Sequence, residues 1–218
     1  QNLGFTFTYD KRLYDRLCNS PAKEVIAHLS AGKDYQSRMA RFIENHDERR
    51  CTQVFGAHTL TAFATLIATL PGLSFFHQGQ FEGRTIHLPM PLNQAAKEKP
   101  DTELIRLYTT LLNVAKDPVF HDGDWQLLEA QHNNDQTHEH LIAYRWKSST
   151  AYRLVIVNLN HGISHGRLFI ADDLPESAEH KLTDLLNGEH YQRQHEDIKN
   201  NGLYIRLESY KAHIFEVI

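Results

Sequence analysis

The sequence predicts two architectures in one chain, α/β followed by all-β, and three observations carry that prediction. Up to Ala115, short apolar runs alternate with helical patterns, the order expected of parallel βα units. From Val119 onward the pattern changes to short strand-like runs separated by turn signals, with no helical period. Within the first part, the apolar pair Phe42-Ile43 ends abruptly in Glu44-Asn45-His46-Asp47-Glu48-Arg49-Arg50. In a parallel α/β fold, side chains at the C-terminal ends of strands face the site, and polar groups collect there.

The elements follow in order. Gly4-Phe5-Thr6-Phe7 alternates as a strand and leads to the polar Tyr9-Asp10. Ser20-Pro21 is expected to open a helix, with Ser as N-cap and Pro in the first turn; Val25, Ile26 and Leu29 share one face, and Gly32 is the stop. Met39 to Ile43 reads as a second strand. Leu60, Phe63, Ala64, Ile67 and Leu70 recur at spacings of three and four, an amphipathic helix that Pro71-Gly72 terminates. Leu73-Ser74-Phe75-Phe76 reads as a third buried strand, followed by His77-Gln78-Gly79-Gln80. Thr102 to Ala115 is a further helix, with Asp101 as its N-cap. Strand-like runs then cover Trp125–Leu128, Leu141–Trp146, Leu154–Leu159, Arg167–Ile170, Leu203–Leu207 and His213–Val217. Asn160-His161-Gly162, Asn187-Gly188 and Asn201-Gly202 supply turns.

Composition narrows the function classes. The chain has 218 residues, 41% of them hydrophobic and 23% charged, as in ordinary globular proteins. Its formal charge of −4 offers no basic field for nucleic acid. The longest apolar run, Leu60 to Leu70, is too short for a bilayer, so no membrane partner is expected. Cys18 and Cys51 make no disulfide framework, which suits a reducing compartment and a cytoplasmic location. Gln1 falls inside an apparent strand, and the start reads as a cut.

The motif Phe42-Ile43-Glu44-Asn45-His46-Asp47 resembles the one that ends the seventh barrel strand in the α-amylase family of glycoside hydrolases. Leu70-Pro71-Gly72 through Gly79-Gln80 resembles that family's eighth strand. Gly4 to Asp15 would then be the sixth strand and its turn, and the strand-rich second part resembles the family's C-terminal β domain. The segment Ile86 to Lys99, with Pro89 and Pro91, departs from the commonest members and is closer to an uncharacterised bacterial branch. The resemblance implies a partial (β/α)8 TIM barrel, strands six to eight, over residues 1–117. An antiparallel β-sandwich would follow over 118–218.

It also implies a chemistry. Retaining glycosidases use a nucleophile and a general acid/base about 5 Å apart around an oxocarbenium-like transition state. The family places these after its fourth and fifth strands, neither of which is in this chain. Asp47 corresponds to the third catalytic carboxylate. His46 is implied to contact the sugar and Asn45 to orient its neighbours, while Tyr9 and Asp10 could line the same cleft. The expected substrate is an α-glucan or α-glucoside, with no cofactor. The expected partners are the missing N-terminal half of the barrel or a second copy meeting an open sheet edge. Alone, the chain is expected to be inactive. The alternatives are a non-catalytic assembly module, in which Asn45 and Asp47 only cap the next helix, and an α-glucanotransferase.

Other residues receive blander readings. Glu44 and Asp47 would point to opposite faces of a continuing strand and make no catalytic pair. Gln80 is structural, since an amide is neither acid nor base. Arg49 and Arg50 are expected to pair with Glu44 or Glu48 on the surface. His132, His138, His140, His161 and His165, among the chain's 15 histidines, match no structural zinc spacing, and no metal is expected.

Overall fold

The computed structural model describes residues 4–88 and 97–218. Three short parallel strands, β1 (Thr8–Tyr9), β2 (Met39–Arg41) and β3 (Leu73–Ser74), form a sheet with β2 in the middle. Helices α1 (Lys11–Asn19), α2 (Ala22–Leu29) and α3 (Lys33–Gln36) connect β1 to β2. Helices α4 (Cys51–Val54) and α5 (Leu60–Thr69) connect β2 to β3. Gly72 makes the last turn into β3 possible: its φ is +104°, and a Cβ there would lie 2.3 Å from the Met39 carbonyl oxygen.

Several expectations are corrected here. Residues 4–7 are not strand, because the ladder starts at the Thr8–Met39 pair and none of these four residues has a partner on β2. The stretch after Asp10 is the helix α1 rather than a turn; Asp10 caps it by accepting from the Leu13 N–H at 3.1 Å, and Leu13, Tyr14 and Leu17 pack inward. Ser20 ends α1, so Pro21 rather than Ser20 is the N-cap of α2. Gly32 starts α3 instead of stopping α2, whose C-cap is Ser30. The β2 ladder stops at Arg41, leaving Phe42 and Ile43 buried just beyond it. Strand β3 is not buried, since Leu73 is 46% exposed. Pro89 and Pro91 lie outside the described residues.

Helix α6 (Thr102–Ala115) is capped as expected, with Asp101 Oδ1 accepting from the Glu103 and Leu104 N–H groups. The short helix α7 (Val119–Asp122) then leads into antiparallel structure. Strands β4 (Asp124–Leu128), β5 (Leu141–Lys147), β6 (Tyr152–Asn158), β8 (Glu179–Asp184), β9 (His190–Gln194) and β11 (Ala212–Val217) form one sheet, ordered β4-β5-β6-β11-β8-β9. Strand β7 (Ser164–Leu168) pairs with β10 (Leu203–Leu207) in a second sheet, and helix α8 (His195–Asn201) joins β9 to β10. Sequence reading missed β8, β9 and α8.

The central strands β5 and β6 of the larger sheet are buried on both faces, which explains their unbroken apolar runs. On one face Ala143, Leu154, Ile156 and Phe215 meet Leu168, Leu203 and Ile205 of the smaller sheet and Ile198 of α8. On the other, Tyr144, Trp146, Val155, Val157 and Ile214 join a core built around α5. Helix α5 is therefore covered on nearly all sides rather than amphipathic; apart from Thr61 every residue in it is buried. Thr69 Oγ1 lies 2.6 Å from the Tyr144 hydroxyl, and Trp146 Nε1 donates to the Thr69 carbonyl at 2.8 Å. Among the described residues, no helix is long and apolar enough to cross a membrane.

Candidate functional site

The loop that follows β2, in the middle of the parallel sheet, carries Asn45, His46 and Asp47. Asn45 is buried, and its Oδ1 accepts from the backbone N–H groups of Asp47 at 2.8 Å and Glu48 at 2.9 Å. This closes a tight turn that aims the two following side chains outward. Asp47 has a side chain 76% exposed, with Oδ2 3.3 Å from His46 Nε2, whose own side chain is 37% exposed. His87 Nε2 meets the His46 carbonyl at 3.1 Å and ties this turn to the segment after β3.

Aromatic rings pave the sheet beside this turn. Tyr9 packs edge-on against Phe42 at 5.4 Å and against Phe75 at 6.0 Å, so one ring from each strand region meets at the same rim. Tyr9 is 51% exposed; Phe5 and Phe7, just before it in sequence, are exposed as well, and so is Leu73 of β3. The pleat sends the next residue the other way. Asp10 is 2% exposed and turned into the helix layer, where His28 Nε2 lies 2.9 Å and Arg41 Nε 3.4 Å from its carboxylate. Burial works against its ionisation, but the His28 hydrogen bond and the charges of His28 and Arg41 win, and its pKa lies below the ordinary carboxylate value. Two of the five sequence-derived residues are thus not presented to a ligand: Asp10 faces the helix layer, and Asn45 spends its side-chain oxygen on its own turn. Asp47, His46 and Tyr9 are the exposed ones.

Nor do Asn45 and Asp47 cap the next helix. The N-cap position is Arg50, and the first N–H of that helix, from Cys51, donates at 2.7 Å to the fully buried Glu44. Its other oxygen takes the Arg50 guanidinium at 2.6 Å, so the Glu44–Arg50 pair lies inside the protein and not on the surface as expected. Glu48 instead meets Lys11 Nζ at 3.0 Å. Gln80 is fully buried; it accepts from the His77 N–H at 3.1 Å and donates to the Tyr108 hydroxyl at 2.8 Å, which fits a structural residue. Sequence reasoning missed His77, which lies beyond β3 with its Nδ1 3.1 Å from Arg50 Nη1. Burial, and next the Arg50 charge, hold its imidazole below the usual pKa. The only sequence signal for it was its place after a strand.

Among the described residues no three His, Cys, Asp or Glu side chains gather as a metal site. No protein-family model matches the sequence, and no curated protein matches it. Solved structures do. A maltogenic α-amylase, AmyB from Thermotoga neapolitana, superposes with a TM-score of 0.77 at 19% identity, covering 99% of this chain and 51% of that one. An α-amylase from Geobacillus thermoleovorans, complexed with acarbose, gives 0.73 at 17% identity over 96% of this chain and 47% of its own. An α-amylase from Lactobacillus plantarum gives 0.73 at 14% identity, with coverages of 100% and 49%. The chain spans about half the length of the structures it matches. A parallel sheet with its helices, joined to an antiparallel β region, is therefore a fold this chain shares with the C-terminal part of α-amylase structures.

Proposed function

We propose that this chain is part of a retaining α-glycosidase acting on α-glucans or α-glucosides, with Asp47 as its third carboxylate. The observation that carries the reading is the exposed Asp47–His46 pair at the C-terminal end of the central parallel strand, beside an aromatic rim. An ionised Asp47 accepting from sugar hydroxyls tightens its hold as the ring distorts, so its contribution belongs to the transition state. His46 donates to a sugar hydroxyl, and Tyr9 offers a ring face to the sugar. Asn45 positions both side chains through its turn.

In this reading β1, β2 and β3 are strands six, seven and eight of a (β/α)8 barrel. Residues 1–117 belong to that barrel and 118–218 to a β domain, in a cytoplasmic enzyme. The nucleophile and the general acid come from the N-terminal half of the barrel. Within the chain itself, Glu44 and Asp10 are buried and tied up in internal contacts, so neither can complete a catalytic pair with Asp47. The 218 residues alone are expected to be inactive.

The test is maltooligosaccharide cleavage by the complete gene product beside the 218-residue chain. Cleavage by the longer product only, with kcat lowered about 10²–10³-fold or more in Asp47→Asn, is the expected result. Full activity in Asp47→Asn removes the assignment. A gene product that cleaves nothing favours the assembly module, and transfer in preference to hydrolysis favours a glucanotransferase.

A further inference from the structure

Among the described residues, strand β10 pairs on one side only, with β7. The main chain of β7 shows which groups of β10 are left over. Arg167 exchanges both of its backbone hydrogen bonds with Gln131, donating at 3.0 Å and accepting at 2.9 Å. The His165 N–H donates to Thr137 Oγ1 at 3.1 Å. Both residues therefore turn their main-chain groups away from β10, where their partners across the ladder are Tyr204 and Arg206. Residues directly opposite in an antiparallel ladder either exchange both bonds or point both sets outward. Tyr204 and Arg206 accordingly aim their N–H and C=O groups at the free edge, and none of these groups has a partner among the described residues.

A groove runs beside that edge. Its floor is the inner face of the larger sheet, where the ladders set Leu182 of β8, Tyr191 and Arg193 of β9 and Phe215 of β11 on one side. Leu203 and Ile205 of β10 complete it around a cavity of about 240 Å³. Small-molecule pockets run to roughly 300–1,000 Å³, so this one suits a single large side chain. The Arg193 guanidinium lies 5.7 Å from the centre of the Tyr191 ring and donates to the Gln192 carbonyl at 2.8 Å, with no carboxylate partner among the described residues. The other ionisable groups at the groove are already engaged: Arg206 pairs with Glu208 at 2.8 Å, and His213 Nδ1 lies 2.5 Å from the buried Asp184.

We infer that the groove takes an extended segment of a partner protein, which adds to β10 as a third strand of the smaller sheet. The outward main-chain groups of Tyr204 and Arg206 specify an extended backbone as the occupant. When the segment adds antiparallel, its residue opposite Ile205 shares the inward face and enters the cavity, so that residue is apolar. The next inward position, two residues along, carries an acid that meets Arg193. A second copy of this chain does not fit. Strands β8 and β9 extend past β10 as the floor, and the larger sheet of the second copy would collide with them. The inference does not depend on the glycosidase reading.

The probe is the acetylated and amidated peptide Thr-Asp-Thr-Leu-Thr-Asp-Thr, titrated into the 218-residue chain. In the free chain the Tyr204 and Arg206 amides should exchange hydrogen fast and the Ile205 amide slowly; saturating peptide should slow the first two by about tenfold or more. Replacing the peptide's Leu by Thr should weaken binding about tenfold or more. Arg193→Glu should weaken it to a similar extent, and a peptide with Lys in place of Asp should recover it. Arg206→Pro removes one outward N–H while leaving the ladder to β7 intact, and should abolish binding at an unchanged thermal midpoint. Tyr204 and Arg206 amides already protected in the free chain overturn the inference, as does a peptide that fails to bind or binds without slowing them. Protection that rises with protein concentration in the absence of peptide assigns the edge to a second copy and overturns it as well.

Discussion

Asp10 and Asp47 are the same residue type, each following a parallel strand, and the protein uses them oppositely. Asp47 meets solvent, whereas Asp10 neutralises Arg41, whose side chain is 1% exposed and whose pKa burial lowers to about 10. Arg41 also donates to the Gln36 carbonyl and to Gln36 Oε1, while its Nε reaches Asp10 without hydrogen-bond geometry. Asp10→Ala strands a buried cation and should cost about 3–5 kcal/mol in urea unfolding, whereas Asp10→Ala with Arg41→Met should recover much of that. The pH dependence has a fixed sign. Because the folded pKa of Asp10 is depressed, its stabilisation is present above the unfolded value of 3.8 and is lost as pH falls from there through the folded value. Wild type should therefore lose more stability than Asp10→Ala between about pH 5 and about pH 2. Little of this was legible in the sequence. Asp47 stood out through a local string of residues, and Asp101 as a cap through its position before a helical period. Asp10, Glu44 and Arg50 find their partners only when segments far apart in the chain pack, and no local spacing announces that.

At the scale of elements, legibility followed burial. Helix α5 and strands β5 and β6 were read from their apolar runs, although those runs hid the fact that both faces are covered. Strand β9 has no buried residue, so it offers no apolar signal. Strand β8 buries His180, Leu182 and Asp184, a period-two pattern disguised by polar chemistry. His180 is fully buried, and its Nε2 lies 3.0 Å from Nδ1 of His195 at the start of α8. Its Nδ1 has no partner among the described residues. Burial first, and the His195 charge second, lower its pKa. A histidine that resists protonation when folded makes the protein less stable as pH falls below its unfolded value of 6.5, because the unfolded chain takes up the proton first. The urea midpoint should drop between about pH 7.5 and about pH 5, and His180→Phe should flatten that slope. An equally steep slope in the variant would assign it to other groups.

For the whole molecule, the parallel sheet is an open feature. Among the described residues, strands β1 and β3 each pair on one side only, with β2, and Phe5, Phe7, Tyr9 and Leu73 are exposed. Short free edges beside apolar surface invite pairing. The 218-residue chain should sediment as a dimer or larger species at micromolar concentration, and Leu73→Lys should shift it toward monomer. A wild-type monomer at high concentration removes self-association from the account. The antiparallel region presents the opposite case. One face of its larger sheet is closed by α5, a helix that lies before β3 in the chain, through Tyr144, Trp146, Val155, Val157 and Ile214. A genetic exchange that swapped residues 118–218 between relatives would import a sheet shaped around a different helix. Only exchanges carrying α5 together with the sheet would keep Thr69 opposite Tyr144 and Trp146. The unit that can be inherited intact is thus wider than the unit the strands outline.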